Sequence, residues 1–142
     1  MTAFRTSFNT LLSKYKRITF LRTITRTHVN RKKKWGENGD CERTRPFSKR
    51  EAKLDEVVLK MYSIQLDEFR VAERERRKKG LRFRVLNVTE SMTMRPDGHP
   101  NQYGHWPHEK VRRLDCLHWC LPGPNNVWNE MLLQMIEMEN ER

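Results

Sequence analysis

Phe4, Phe8, Leu11, Leu12 and Tyr15 recur at the three- and four-residue steps of a helix, so residues 4–15 are predicted to form a short amphipathic helix opening after Thr2. The period then changes to two. Ile18, Phe20 and Ile24 stand against Thr19, Thr23 and Thr25, and residues 17–25 read as a strand. From 27 to 47 no period survives among Arg, Lys, Asn and Gly, and the stretch reads as a long loop, basic over 26–47. Ser48 three residues before Glu51 has the spacing of a capping box and predicts a helix over 48–79. Leu54, Val57, Val58, Met61, Ile64, Phe69 and Ala72 keep its period, and Gly80 stops it. Residues 81–88, with Leu81, Phe83 and Val85 against Arg82 and Arg84, form a second strand. Beyond Ser91 the prolines of Arg95-Pro96-Asp97-Gly98-His99-Pro100 forbid a helix and specify turns. Val127, Trp128, Met131, Leu132, Met135 and Ile136 mark a last amphipathic helix, capped by Asn125 or Asn126. Helix then strand, repeated on a larger scale, is an α/β pattern.

Composition narrows this picture. A chain of 142 residues with 36% hydrophobic against 33% charged positions allows one domain with a thin core and argues against two independent ones. No apolar run reaches membrane-spanning length, and Met1 is not followed by the apolar core of a secretory signal, so the chain as written is expected to be neither anchored nor exported. The net charge of +11 is local. Residues 1–35 hold 10 of the 29 basic side chains and no acid, which leaves 19 basic against 18 acidic in a nearly neutral body. Such an arm could meet nucleic acid, a membrane surface or an organelle import system. No nucleic-acid recognition motif accompanies it, and the expectation is a solvated loop without a nucleic-acid partner.

The densest chemistry lies in Asp115-Cys116-Leu117-His118-Trp119-Cys120. An Asp three residues before a His can accept from the ring Nδ1 and hold the tautomer whose Nε2 is a base, two thirds of an acyl-transfer triad. The same spacing also serves ordinary surface ion pairs. Ser7, Ser13, Ser48, Ser63 and Ser91 lack a nucleophile context, while Gly39-Asp40-Cys41 would need a thiolate in the serine's role. His99, His105, His108, Cys116, His118 and Cys120 outnumber the four ligands of a zinc site, yet their spacing fits no common pattern, and neither metal nor cofactor is expected. Trp106, Trp119 and Trp128 could stack on sugar rings or pack beside the last helix.

The same block, continued through Leu121-Pro122-Gly123-Pro124 to Trp128-Asn129-Glu130, resembles the C-terminal signature of the trichome birefringence-like family, plant cell-wall polysaccharide O-acetyltransferases of the PC-esterase group. Leu81-Arg82-Phe83, the 95–100 segment and Tyr103-Gly104 are similar to its segments just upstream. Leu21-Arg22-Thr23-Ile24-Thr25 with His28, and Trp35 through Gly39 and Cys41 to Thr44-Arg45-Pro46-Phe47, are similar to two earlier ones. Thr25-Arg26, the run Arg31-Lys32-Lys33-Lys34, Asn38 and Asn126 depart from the family pattern.

The resemblance implies an SGNH-hydrolase-like three-layer α/β fold, of which residues 1–142 correspond to the C-terminal half. It implies acetyl transfer to a hemicellulose such as xyloglucan, with Asp115 orienting and His118 acting as base then acid. The serine of the family's Gly-Asp-Ser block is not among these residues. The alternatives are a split-enzyme half and a truncated, inactive product. By position Arg22, His99 and Trp119 would meet substrate. The implied partners are a polysaccharide acceptor and an acetyl donor, with membrane contact only through an N-terminal anchor absent from this sequence. In the Golgi lumen that the family implies, Cys41 would bridge to Cys116 or Cys120, and Asn87-Val88-Thr89 would be a glycosylation sequon.

Overall fold

Thr2–Lys14 forms helix α1 and Thr19–Arg22 strand β1 in the computed structural model, which describes residues 2–14, 17–29, 39–104, 106, 108–110 and 113–141. Helix α2 spans Glu56–Lys78, strand β2 Phe83–Leu86, the short helix α3 Thr89–Thr93 and helix α4 Pro124–Asn140, with 3-10 turns at Asp40–Glu42, Pro96–Gly98 and Gln102–Gly104. Tyr15, Trp35, Asn38, His105 and the basic run 31–34 lie outside the described residues, and with them residues 30–38 of the predicted 26–47 loop.

The chain divides into two compact units, residues 1–24 with 54–89 and residues 25–53 with 90–142. The first holds the apolar core. Phe8 of α1, Phe69 and Ala72 of α2, and Leu81 and Phe83 at the start of β2 are buried together, with Phe4, Leu11, Leu12, Leu21 and Val85 packed around them. The rings of Phe8, Phe69 and Phe83 meet at centroid distances of 6.0 to 6.4 Å, within the range of favourable aromatic packing. At the margin of this core the Arg5 guanidinium grips the buried Glu68 carboxylate through two bonds of 3.2 and 2.9 Å.

Strands β1 and β2 pair in parallel from Thr19↔Phe83 to Arg22↔Leu86, a connection that α2 makes possible because parallel neighbours need a long crossover. Helices on a small parallel sheet make the unit α/β. Both strands are shorter than predicted, and Thr23 supplies the reason at their C-terminal ends. Its fully buried hydroxyl accepts from the main chain of Val88 (3.0 Å) and Thr89 (3.2 Å), which replaces the next ladder bonds with side-chain ones.

Helix α2 starts at Asp55, not at Ser48. The Asp55 carboxylate accepts from Val57 (3.1 Å) and Val58 (3.0 Å), capping two of the helix's orphan N–H groups. Glu51 does reach back to the Ser48 N–H (2.8 Å), so that half of the capping box forms, but it closes an isolated turn. Gly80 takes φ +66° and ends the element, as its lack of a Cβ allows.

In the second unit α4 begins earlier than predicted. Gly123 is its N-cap and Pro124 its first residue, while Asn126 accepts from the Gly123 N–H at 2.8 Å instead of serving as the cap. Among the described residues no helix is long and apolar enough to cross a membrane.

Candidate active site

Residues 115–120 run without regular structure in the second unit, and their shape is imposed from four sides. Asp115 pairs with Asn101 through two antiparallel main-chain bonds of 2.9 and 3.0 Å. Cys116 is disulfide-bonded to Cys41, and its carbonyl accepts from the His28 N–H at 3.0 Å. His118 is held by its carbonyl, which accepts from His99 Nδ1 at 2.5 Å. Cys120 donates its N–H to Gly98 at 2.9 Å. Gly39 lets the disulfide close: a Cβ there would lie 2.3 Å from Cys116 Sγ and 2.7 Å from the His28 carbonyl.

Within this frame Asp115 folds back on its own loop. One carboxylate oxygen accepts from the N–H groups of Leu117 and His118, both at 3.0 Å. The other faces His118 Nδ1 at 2.8 Å. An ionised carboxylate only accepts, so Nδ1 carries the proton and the lone pair belongs to Nε2. Partial burial works to raise the Asp115 pKa, but the two backbone N–H groups and the His118 ring outweigh it and hold the carboxyl below its ordinary range. His118 itself is 73% exposed and Asp115 25%. The arrangement is an oriented imidazole base open to solvent, with its orienter sheltered behind it.

Of the other residues that the sequence marks, His99 is buried with both ring nitrogens against protein groups, one on the His118 carbonyl and one on His28 Nδ1 at 2.7 Å. Trp119 stacks on His99 at 4.1 Å and donates Nε1 to Thr25 Oγ1 at 3.3 Å. Cys120 is a free, half-buried thiol whose pKa is raised by burial and by the Asp115 charge. Arg22 ends β1 in the first unit, and Asn87 follows β2 there, its amide donating to Tyr62 Oη at 2.8 Å. His28 carries no assigned role in the sequence reading, yet it is fully buried at the centre of the second unit. Nothing in its neighbourhood in the sequence signals this, because its ring partner lies 71 residues away. Among the described residues no group of three or more His, Cys, Asp or Glu side chains is arranged to hold a metal ion.

No solved structure matches the chain. It is 46% identical over 139 residues to protein trichome birefringence-like 20 of Arabidopsis thaliana, covering 95% of this chain and 29% of that protein. It is 41% identical over 121 residues to xyloglucan O-acetyltransferase 3 of Populus trichocarpa, covering 84% and 29%, and 39% identical over 120 residues to xyloglucan O-acetyltransferase 2 of Arabidopsis thaliana, covering 84% and 28%. The chain thus spans about a third of the length of the relatives it matches. The family model described as PC-esterase, a GDSL/SGNH-like acyl-esterase family found in Pmr5 and Cas1p, matches residues 1–135. The chain belongs to the PC-esterase family.

Proposed function

We propose that these residues supply the His–Asp half of an acetyl-transfer site that acts on a cell-wall polysaccharide, with xyloglucan as the acceptor class. The observation that carries the reading is the 2.8 Å bond between His118 Nδ1 and an Asp115 carboxylate already fixed by two backbone N–H groups, which leaves Nε2 basic and exposed. The names of the xyloglucan O-acetyltransferases among the relatives support the substrate class.

In the reaction His118 Nε2 takes the proton of a serine hydroxyl as its Oγ attacks the carbonyl carbon of an acetyl donor. The resulting imidazolium gives that proton to the departing group when the tetrahedral intermediate collapses, leaving acetyl-serine. An acceptor sugar hydroxyl then repeats the cycle: His118 removes its proton, its oxygen attacks the acetyl carbon, and the proton returns to the serine oxygen. Asp115 stays ionised throughout and steadies the imidazolium. The serine belongs to a Gly-Asp-Ser block that the 142 residues do not contain.

The surrounding architecture on this reading is a three-layer SGNH-hydrolase-like fold, to which residues 1–142 contribute a C-terminal portion. The Cys41–Cys116 bridge suits an oxidising lumen such as the Golgi, where wall polysaccharides would be met. The experiment is acetyl transfer to xyloglucan oligosaccharides by a protein that joins these residues to the Gly-Asp-Ser portion of a close relative. Transfer that His118→Ala abolishes is expected. No transfer from the joined protein would overturn the reading in favour of a chain that keeps the dyad without using it.

A further inference from the structure

The Asp115–His118 unit leaves the two buried histidines unexplained. His28 is 0% and His99 4% exposed. Each turns one ring nitrogen to a main-chain carbonyl, His28 Nε2 to Thr93 at 3.0 Å and His99 Nδ1 to His118 at 2.5 Å. A carbonyl oxygen only accepts, so both nitrogens carry protons. The remaining pair, His28 Nδ1 and His99 Nε2, stands 2.7 Å apart. Two neutral imidazoles bring one N–H each, and both are already committed to carbonyls. Without a third proton the short contact would press two lone pairs together.

We infer that His28 and His99 hold one proton between them as a monocation, whose three hydrogen bonds form a buried strut from the Thr93 carbonyl to the His118 carbonyl and thereby position the main chain of the catalytic histidine. The second half of this inference rests on the reading of His118 as the base; the first half does not.

The surroundings suit one positive charge and exclude two. The face of Trp119 stacks on His99 at 4.1 Å, its plane stands at 88° to His28 with centroids 6.0 Å apart, and Phe47 lies 5.6 Å from His28. Aromatic faces attract a cation through their quadrupole. Asp97 and Asp115 favour the charge, while Arg26 and His118 oppose it. Asp97 is itself held by Arg95 at 3.0 Å. Burial opposes charge on either ring, pushing His28 down to about 4 and lowering His99 as well; the first proton relieves the lone-pair contact of the facing nitrogens, whereas a second meets burial and the first charge with no such contact left to relieve. The strut holds while the shared proton stays. As pH rises through the pair's own pKa the proton leaves to solvent, and one of the three bonds must break.

Nitrogen-15 NMR of the histidine rings, between pH 4 and 9, reads this directly in the native protein that carries these residues, with His28→Gln and His99→Gln for assignment. The expected result is His28 Nε2 and His99 Nδ1 protonated throughout, and the two facing nitrogens sharing one proton, lost in a single step or retained across the range. Two independent titrations, or a pair neutral at every pH, would overturn the inference. The positioning role is read from the pH profile of acetyl transfer by the joined protein. His28→Phe removes the shared proton and should lower kcat several-fold with KM unmoved and erase the pair's step from the profile. A profile identical to the parent protein's would sink that role. Activity that survives His118→Ala overturns the catalytic reading instead, and leaves the ring nitrogens to decide the shared proton by themselves.

Discussion

Asp115 uses one carboxylate oxygen to fold its own loop and the other to orient His118, and the two tasks respond differently to substitution. Asp115→Asn retains an oxygen for the N–H groups of Leu117 and His118, so the loop keeps its turn. Its amide nitrogen, however, would donate toward His118 Nδ1, which drives the ring proton to Nε2 and removes the base. In the joined protein, on the proposed reading, acetyl transfer should fall about 10⁴-fold, the scale of this exchange in a serine-protease triad, with a far smaller change in the unfolding midpoint. Steady-state kinetics beside a denaturation curve checks both halves. The sign of the pH effect follows from the lowered Asp115 pKa: the carboxylate is ionised and orienting above the ordinary carboxyl range, and the orientation is lost only as pH falls through its depressed value. This pair was legible in the sequence because its members lie within one turn of each other. The His28–His99 pair was not, since a buried contact across 71 residues leaves no periodic trace.

Individual elements separate what local pattern specifies from what tertiary contact decides. Helix α1, the end of α2 at Gly80 and the presence of strands β1 and β2 agree with apolar periodicity and a glycine stop. The start of α2 does not, because the fold caps the helix at Asp55, seven residues beyond the Ser48–Glu51 spacing that marked its start. Asp55 wins with a side chain that holds two helical N–H groups, whereas Glu51 satisfies only the N–H of Ser48 and its carboxylate is also drawn to Arg43 at 2.7 Å. Asp55→Ala should therefore cost about 1 kcal/mol, the usual worth of a lost N-cap, and Ser48→Ala far less, as measured by urea unfolding. The reverse order would restore the longer helix. The cysteines left a choice of partners open, and the fold brings Cys41 to Cys116 across 75 residues. Closing a loop of that length stabilises by about 4 to 5 kcal/mol in the chain-entropy model. Cys41→Ser, or a reductant acting on the parent chain, should lower the unfolding free energy by about that much, while Cys120→Ser should leave it nearly unchanged.

The whole molecule folds against its own charge, 29 basic side chains facing 18 acidic ones, and acid increases the imbalance as carboxylates take up protons. His28 adds a separate dependence on pH. Its ordinary value of 6.5 is lowered to about 4, by burial first, with the nearby charges of His99 and Arg26 acting in the same direction. Between those two values the unfolded chain binds a proton that the folded chain refuses, so the contribution of His28 is complete above 6.5 and is lost progressively as pH falls toward 4. A shared proton between His28 and His99 gives the same slope, since the folded pair stops at one proton where the unfolded rings take two. One proton of difference corresponds to about 1.4 kcal/mol per pH unit. Glu51, held at about 2 first by Arg43 and then by Ser48, works below this window: its contribution is complete above 4.5 and disappears as pH falls through 2. Urea unfolding at pH 7, 6, 5 and 4 should therefore show stability falling with an added slope of that size, and His28→Phe, less stable at pH 7, should lack the added slope. Parallel curves for the two proteins would mean that His28 accepts its proton as readily in the fold as out of it, which its full burial does not allow.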